Sequence, residues 1–315
     1  MINKLDIVLI GTSLTEASDP VVHSGVQMAR RAGAKIHLAH AYSPPMTYSG
    51  SPFFPEVPLA EVFKAERAAL QRQFDSQITR LGIDRAELAG IHLEVGPAHR
   101  FLVDTAREIG ADLIVVGSSE SPRLAKIFGS TADRVVRKAA CPVLVVRGEL
   151  RIPPERVLLP VDLSPLSAEA FETGIQFLTR INGTVKPAVE ALFVMTELDR
   201  QALLPRATGI EVEQLAEQEL KRFVSAHAAN APWKVEAVVE AGFVDIEILG
   251  QIEVCKPDLV LLGTHGRSGF ERFVLGSVAA TVIRQGTCSV LVVPPRAARE
   301  ELVLAGAGKA ESLVF

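Results

Sequence analysis

Short apolar runs alternate with longer amphipathic stretches along this chain, and the alternation is gone through twice. Ile7 to Ile10 is a run of four apolar residues leading into Gly-Thr-Ser-Leu-Thr, the pattern of a short buried strand and its loop. Pro20 to Arg31 carries Val22, Val26 and Ala29 at helical spacing, with Gly33 past its end, which predicts a helix with a glycine stop. Lys35 to Tyr42 reads as a strand. Ser43 to Pro58, with five prolines and the aromatics Tyr48, Phe53 and Phe54, predicts a long loop. Glu61 to Leu81 predicts a long helix marked by Val62, Ala69, Phe74 and Ile78. Ile91 to Val95 then predicts a strand, Pro97 to Ile109 a helix, Leu113 to Val116 a strand, Thr131 to about Ala140 a helix and Val143 to Val146 a strand.

The programme then restarts. Strands are predicted at Arg156–Val161, Val189–Met195, Val235–Glu240, Leu259–Leu262 and Ser289–Val293. Helices fall between them at Ser167–Thr179, Glu211–Ala228, Asp245–Val254 and from Ser277 onward. The repeat is visible in the letters: G-S-T-A-D-R-V-V-R-K-A-A-C-P-V-L-V-V begins at Gly129, and G-S-V-A-A-T-V-I-R-Q-G-T-C-S-V-L-V-V begins at Gly276. Gly129 and Gly276, Cys141 and Cys288, and Val146 and Val293 are all 147 residues apart. A period that long marks duplicated domains. The boundaries drawn are 1–148 and 155–296, joined near Pro153-Pro154, with a tail over 297–315. Strands alternating with helices predict the α/β class, each copy a parallel sheet with helices on both faces.

The most informative stretch is Gly263 to Ser277, G-T-H-G-R-S-G-F-E-R-F-V-L-G-S. It follows the apolar run Leu259–Leu262 and leads into Val278, Ala279, Val282 and Ile283 at helical spacing. Glycine lets backbone N–H groups approach an anion with no Cβ in the way. The first turn of a helix presents unpaired N–H groups and the positive end of the dipole. Two glycines alone also fit a turn and a capped helix; the whole pattern G-x2-G-x9-G-S is more specific.

That pattern resembles the nucleotide-binding signature of the universal stress proteins, and the resemblance covers nearly the whole chain as two tandem copies. It implies a doubly wound sheet of strand order 3-2-1-4-5 in each copy and a site for ATP, with magnesium, in the second. Carried over residue by residue, it assigns the ligand contacts to Pro160, Asp162 and Ser164 of P-V-D-L-S, to Val194 at the end of A-L-F-V-M, and to Gly263, His265, Gly266, Gly276, Ser277 and Val278. From the residues alone, Asp162 serves equally as a turn or cap residue, and a lone histidine such as His265 has structural uses. Phe193 stands where the family often has histidine, a change of little expected consequence. Arg267 could reach phosphates, but an exposed loop arginine needs no such role, and that plainer reading is preferred. The resemblance also implies that the two copies pair within one chain through their last strands, with a homodimer as a further possibility.

The first copy departs from the signature. Its loop keeps Gly117, Gly129 and Ser130, but Glu120 stands for the second glycine and eight residues separate it from Gly129, against nine between Gly266 and Gly276. A carboxylate about 4 Å from a phosphate costs about 4 kcal/mol at an effective dielectric near 20. Thr12 is matched with Asp162. The first copy is therefore expected not to bind ATP.

The sequence contains no P-loop lysine, no H-E-x-x-H and no G-x-S-x-G, so neither catalytic nor metal-ligating residues are assigned. The function expected is a universal-stress-type protein that binds ATP and hydrolyses it slowly at most. An enzyme acting at the α-phosphate, and an interaction module with vestigial sites, are the alternatives. Composition narrows this further. A net charge of −4 gives no electrostatic case for nucleic acid. The three cysteines show neither metal spacing nor a disulfide framework, which fits a reducing compartment. With no long uncharged apolar stretch and no signal-like start, the expected location is cytoplasmic, away from membranes.

Overall fold

Runs that are apolar at nearly every position become strands covered on both faces. In the computed structural model, which describes residues 5–42, 59–118, 131–204, 210–267 and 275–297, these are β1 (Ile7–Gly11), β4 (Leu113–Gly117), β5 (Val143–Val146), β6 (Arg156–Val161), β9 (Leu259–Gly263) and β10 (Ser289–Val293). β2 (Lys35–Tyr42), β3 (Leu88–Val95), β7 (Ala188–Met195) and β8 (Val235–Ala241) complete the strands. The amphipathic stretches form α1 (Asp19–Ala32), α2 (Leu59–Arg80), α3 (Ala98–Ile109), α4 (Thr131–Lys138), α5 (Pro165–Asn182), α6 (Glu197–Leu203), α7 (Ile210–His227), α8 (Val244–Cys255) and α9 (Ser277–Gln285). The predicted elements that fall on described residues all appear, with ends shifted by a few residues. The loop over 43–58 and the tail beyond 297 lie outside the described residues.

One helix was not predicted. α6 has no apolar stripe, only E-L-D-R-Q-A-L. It is set by its start: the Thr196 hydroxyl accepts from the Asp199 amide at 3.3 Å, and the Asp199 carboxylate accepts from the Thr196 amide at 2.9 Å. This reciprocal capping satisfies two of the donors that a helix start leaves without partners.

The ten strands of the described residues form one sheet in the order β3-β2-β1-β4-β5-β10-β9-β6-β7-β8. Each copy therefore has the order 3-2-1-4-5, and within each copy all pairings are parallel. The join is antiparallel: Val290 pairs with Val145, Leu291 with Leu144 and Val292 with Val143. One core layer, on the face of α1, α2, α5 and α7, runs from Phe74 and Leu144 to Leu291, Phe171 and Phe177. The other, beneath α3, α4, α8 and α9, runs from Ile114 and Val143 to Val292 and Ile248. The copies also meet through Arg31, which donates to the carbonyls of Ile181 (2.6 Å) and Asn182 (3.3 Å), and through Arg147, which donates to the Ile283 carbonyl (2.9 Å).

A histidine pair lies on the first copy's outer strands. His37 of β2 and His92 of β3 share a hydrogen bond of 2.9 Å, Nδ1 to Nε2. A Cβ at Gly90 would stand 2.8 Å from His37 Nδ1, so the close pair depends on that glycine. Burial pushes both imidazoles below their ordinary range. The charges of His92 and Lys35 add to the effect on His37, while Glu108 opposes it on His92. A base whose native pKa is depressed takes up fewer protons folded than unfolded, so stability is full above about pH 6.5 and falls as the pH drops below it. The melting temperature is expected to fall more between pH 7.5 and 5.5 in the wild type than in His92→Gln. Equal falls would show that the pair is indifferent to protonation.

Candidate functional site

In each copy the chain leaves the first strand in one direction for the second and third, and returns on its other side for the fourth. The carboxyl ends of the first and fourth strands then flank a crevice, the usual ligand position in such sheets. In the second copy these strands are β6 and β9, and the residues at their ends touch.

Asp162 is the first residue past β6. Its Oδ1 accepts from the Ser164 amide (3.0 Å), and its Oδ2 accepts from the Arg267 amide (2.7 Å) across the crevice. Leu163, between Asp162 and Ser164, holds a left-handed φ of 62°, which brings the Ser164 amide back to the carboxylate. Ser164 caps α5, its hydroxyl accepting from the Ser167 amide at 3.2 Å. A Cβ on Gly266 would run into Asp162 Oδ2, so the glycine is what lets the loop lie against the carboxylate.

The loop is closed on itself at its base. The Thr264 amide donates to the Val293 carbonyl at 3.0 Å, and the Thr264 carbonyl accepts from the Gly276 amide at 2.8 Å. A Cβ on Gly276 would stand 3.1 Å from that carbonyl oxygen, and one on Gly263 would stand 3.2 Å from the Ala170 Cβ. The first bond within α9 runs from the Ala280 amide to the Gly276 carbonyl (3.0 Å). The amides of Ser277, Val278 and Ala279 come before it, so their donors have no partner inside the helix. Ser277 is exposed, while Val278 is half-buried against the α8–α9 core layer. His265 is half-buried, with Nδ1 2.8 Å from the Thr264 hydroxyl. Pro160 lies within β6, opposite Leu192 of β7. Val194 is buried one residue beyond Phe193, the last β7 residue paired with β6.

Asp162, Ser164 and the two ends of the glycine loop are thus tied together by hydrogen bonds, with Pro160 and Val194 on the adjoining strands. Three residues at the crevice were missed or discounted from sequence. Arg267 donates from Nε to the Asp162 carbonyl (2.7 Å), forms an ion pair with Asp199 of α6, and lies 5.5 Å from the centroid of the Phe193 ring. Phe193 is therefore not a change without consequence, because it carries the guanidinium. Burial works to raise the Asp199 carboxyl, but hydrogen bonds from Thr196 and Arg267, with the arginine's charge, outweigh it and hold the group below the usual carboxylate range.

The first copy corrects one pairing. Val8 meets Leu113 in the β1–β4 register and Val157 meets Leu259 in the β6–β9 register, while Leu14 and Leu163 share a φ of 62°. Ser13, not Thr12, therefore stands at the place of Asp162. Thr12 serves another network, its hydroxyl 2.9 Å from both Ser18 Oγ and Gln77 Oε1. His40, at the place of Phe193, meets the Thr12 carbonyl at 2.8 Å. Glu120, Gly129 and Ser130 lie outside the described residues.

Nothing among the described residues points to a nucleophile or a resident metal. No group of three or more His, Cys, Asp or Glu side chains there is placed to hold a metal ion. Burial pushes the Cys288 thiol up to about 11, which leaves it protonated near neutral pH. No helix among those residues is long and apolar enough to cross a membrane.

A duplicated, doubly wound α/β domain with a glycine loop meeting an acidic residue at its switch point defines the class of protein. The chain matches the universal stress protein family over residues 4–147 and again over 154–294. It is 27% identical to a universal stress protein of Mycolicibacterium smegmatis, over 92% of this chain and 97% of that one. It is 26% identical to one of Mycobacterium tuberculosis, over 94% and 97%. The fold is that of the crystal structure of a universal stress protein from Archaeoglobus fulgidus, with a TM-score of 0.62 and 17% identity over 93% of this chain and 97% of that one. The chain belongs to the universal stress protein family, as a tandem two-domain member.

Proposed function

We propose that the second copy binds ATP, with magnesium accompanying the phosphates, and that nucleotide occupancy is the signal the protein carries. The observation that carries this reading is the meeting of Asp162 with the Gly266–Arg267 turn, where a Cβ at 266 would strike the carboxylate. Glycine is needed there to bring the loop backbone into the crevice, beside the amides that open α9. The residues fit a nucleotide in kind. Asp162 offers acceptor oxygens to ribose hydroxyls, Pro160 and Val194 flank the base, and Gly263, His265, Gly266, Gly276, Ser277 and Val278 face the phosphates. The nucleotide would supply the charge that the α9 amides attract. No residue is assigned to catalysis, so hydrolysis, if measured, is slow.

The first copy is proposed as a partner domain, its crevice carrying Ser13 in place of the carboxylate. The copies, 1–148 and 155–296, act as an intrachain pseudo-dimer joined at β5 and β10. The reading includes a cytoplasmic location and no nucleic-acid partner. Calorimetric titration with ATP and magnesium is expected to give one site per chain, with release of ADP, AMP or pyrophosphate far slower than exchange of bound ATP. Absence of binding overturns the proposal, and rapid turnover moves the protein to the enzyme reading.

A further inference from the structure

The Arg267 guanidinium is held at three points. Nε donates to the Asp162 carbonyl at 2.7 Å, Nη1 pairs with Asp199 Oδ1, and the group lies over the Phe193 ring. These anchors belong to the end of β6, to α6 and to the end of β7, so a single side chain from the glycine loop spans the mouth of the crevice. The backbone fixes its origin. Gly266 passes against Asp162, and the next amide donates to the same carboxylate at 2.7 Å. The arginine is thereby rooted beside the loop glycine assigned to phosphate, while its charge is committed elsewhere.

We propose that Arg267 and Asp199 form a charge latch across the nucleotide crevice, in which the phosphates of the incoming nucleotide replace the Asp199 carboxylate as the arginine's partner. The proposal rests on the nucleotide reading above and makes the latch a determinant of phosphate number. A guanidinium is a planar fork that suits phosphate and carboxylate alike. Asp199 supplies one charge, and a triphosphate supplies several. A nucleoside supplies none and gains nothing by opening the latch.

The other half of the device is built to survive opening. Asp199 holds Arg267 through Oδ1, while Oδ2 accepts from the Thr196 amide (2.9 Å) and hydroxyl (2.7 Å). The arginine can therefore leave while the cap of α6 stays closed. What changes is the tether between α6 and the glycine loop. α6 bears Leu198, 78% exposed, so its freedom is presented directly to solvent. At the place of Phe193 the first copy has His40, which meets the Thr12 carbonyl at 2.8 Å.

The test is calorimetric titration of the full chain with ATP, AMP and adenosine, in the wild type, Asp199→Asn and Arg267→Gln. Asparagine keeps an oxygen for Thr196, so α6 remains capped. Asp199→Asn is expected to bind ATP about three- to tenfold more tightly than the wild type, AMP less so, and adenosine with unchanged affinity. Arg267→Gln is expected to weaken ATP by about tenfold and leave adenosine alone. Amide exchange in α6 should be faster in Asp199→Asn and in the ATP-bound wild type than in the wild type alone. If ATP binds and Asp199→Asn leaves its affinity unchanged or lower, the latch is overturned and the nucleotide reading stands. Equal tightening toward adenosine shows loosened structure in place of charge competition, and also overturns the latch. Failure of all three chains to bind ATP overturns both.

Discussion

Gly276→Val is expected to leave the chain folded and to erase its stabilisation by ATP. The Gly276 amide closes the base of the loop on the Thr264 carbonyl at 2.8 Å, and a Cβ there would stand 3.1 Å from the same oxygen. The neighbour has to give by a few tenths of an ångström, so the folded state loses about 1–2 kcal/mol, as in other cases of overpacking. The functional effect is larger. Valine puts two methyl groups at the start of α9, just ahead of the Ser277, Val278 and Ala279 amides. A phosphate within hydrogen-bonding distance of those donors cannot share the space with them. A ligand at a hundred times its dissociation constant stabilises by about 2.7 kcal/mol. For a chain of this size that is a rise in melting temperature of about 4 °C. The wild type should show this shift with ATP and magnesium, and Gly276→Val should show almost none. Circular dichroism checks that the variant is folded. A folded Gly276→Val that keeps the wild-type shift means that the phosphates do not lie at α9, and the site has to be moved.

The parts of this molecule that could be read from sequence are those set by neighbours along the chain. β4, β5, β9 and β10 are runs without a polar interruption, and only a buried strand suits them at that length. Gly276 was legible for a similar reason, since it meets the Thr264 carbonyl within the same loop. What could not be read depends on which strands lie side by side. Matching Ser13 to Asp162 needs the β1–β4 and β6–β9 registers and the shared left-handed turn at Leu14 and Leu163. Arg267 reads as a solvated loop arginine because its partners, Asp162 and Asp199, are 105 and 68 residues away in sequence. Phe193 looked inconsequential because its role depends on that arginine. α6 escaped because a seven-residue helix with no apolar stripe leaves only its cap, Thr196-x-x-Asp199, as a signal.

Leu291→Asp is expected to part the two copies and to destabilise the chain by at least about 4 kcal/mol. Leu291 and Leu144 are directly paired across the antiparallel join, and both are fully buried. Truncating a buried leucine to alanine typically costs about 2–5 kcal/mol. Aspartate adds an ionisable group that the core layer must either desolvate or keep protonated. The join is only three residue pairs long, yet Val143 and Val292 lie in one core layer and Leu144 and Leu291 in the other, so it binds both faces of the sheet at once. A carboxylate on one face opens the sheet at that seam, where the Arg31 and Arg147 hydrogen bonds and the Arg180–Asp6 ion pair are the other polar ties seen between the copies among the described residues. Trypsin supplies the measurement, because the side chain of Arg151, in the connection between β5 and β6, is 61% exposed. Wild-type chain cut there should still elute from gel filtration as one species, since the seam outlasts the connection. Leu291→Asp cut at the same place should elute as two. If the cut wild type already separates, the β5–β10 pairing does not hold the halves together, and the pseudo-dimer fails as a unit of function.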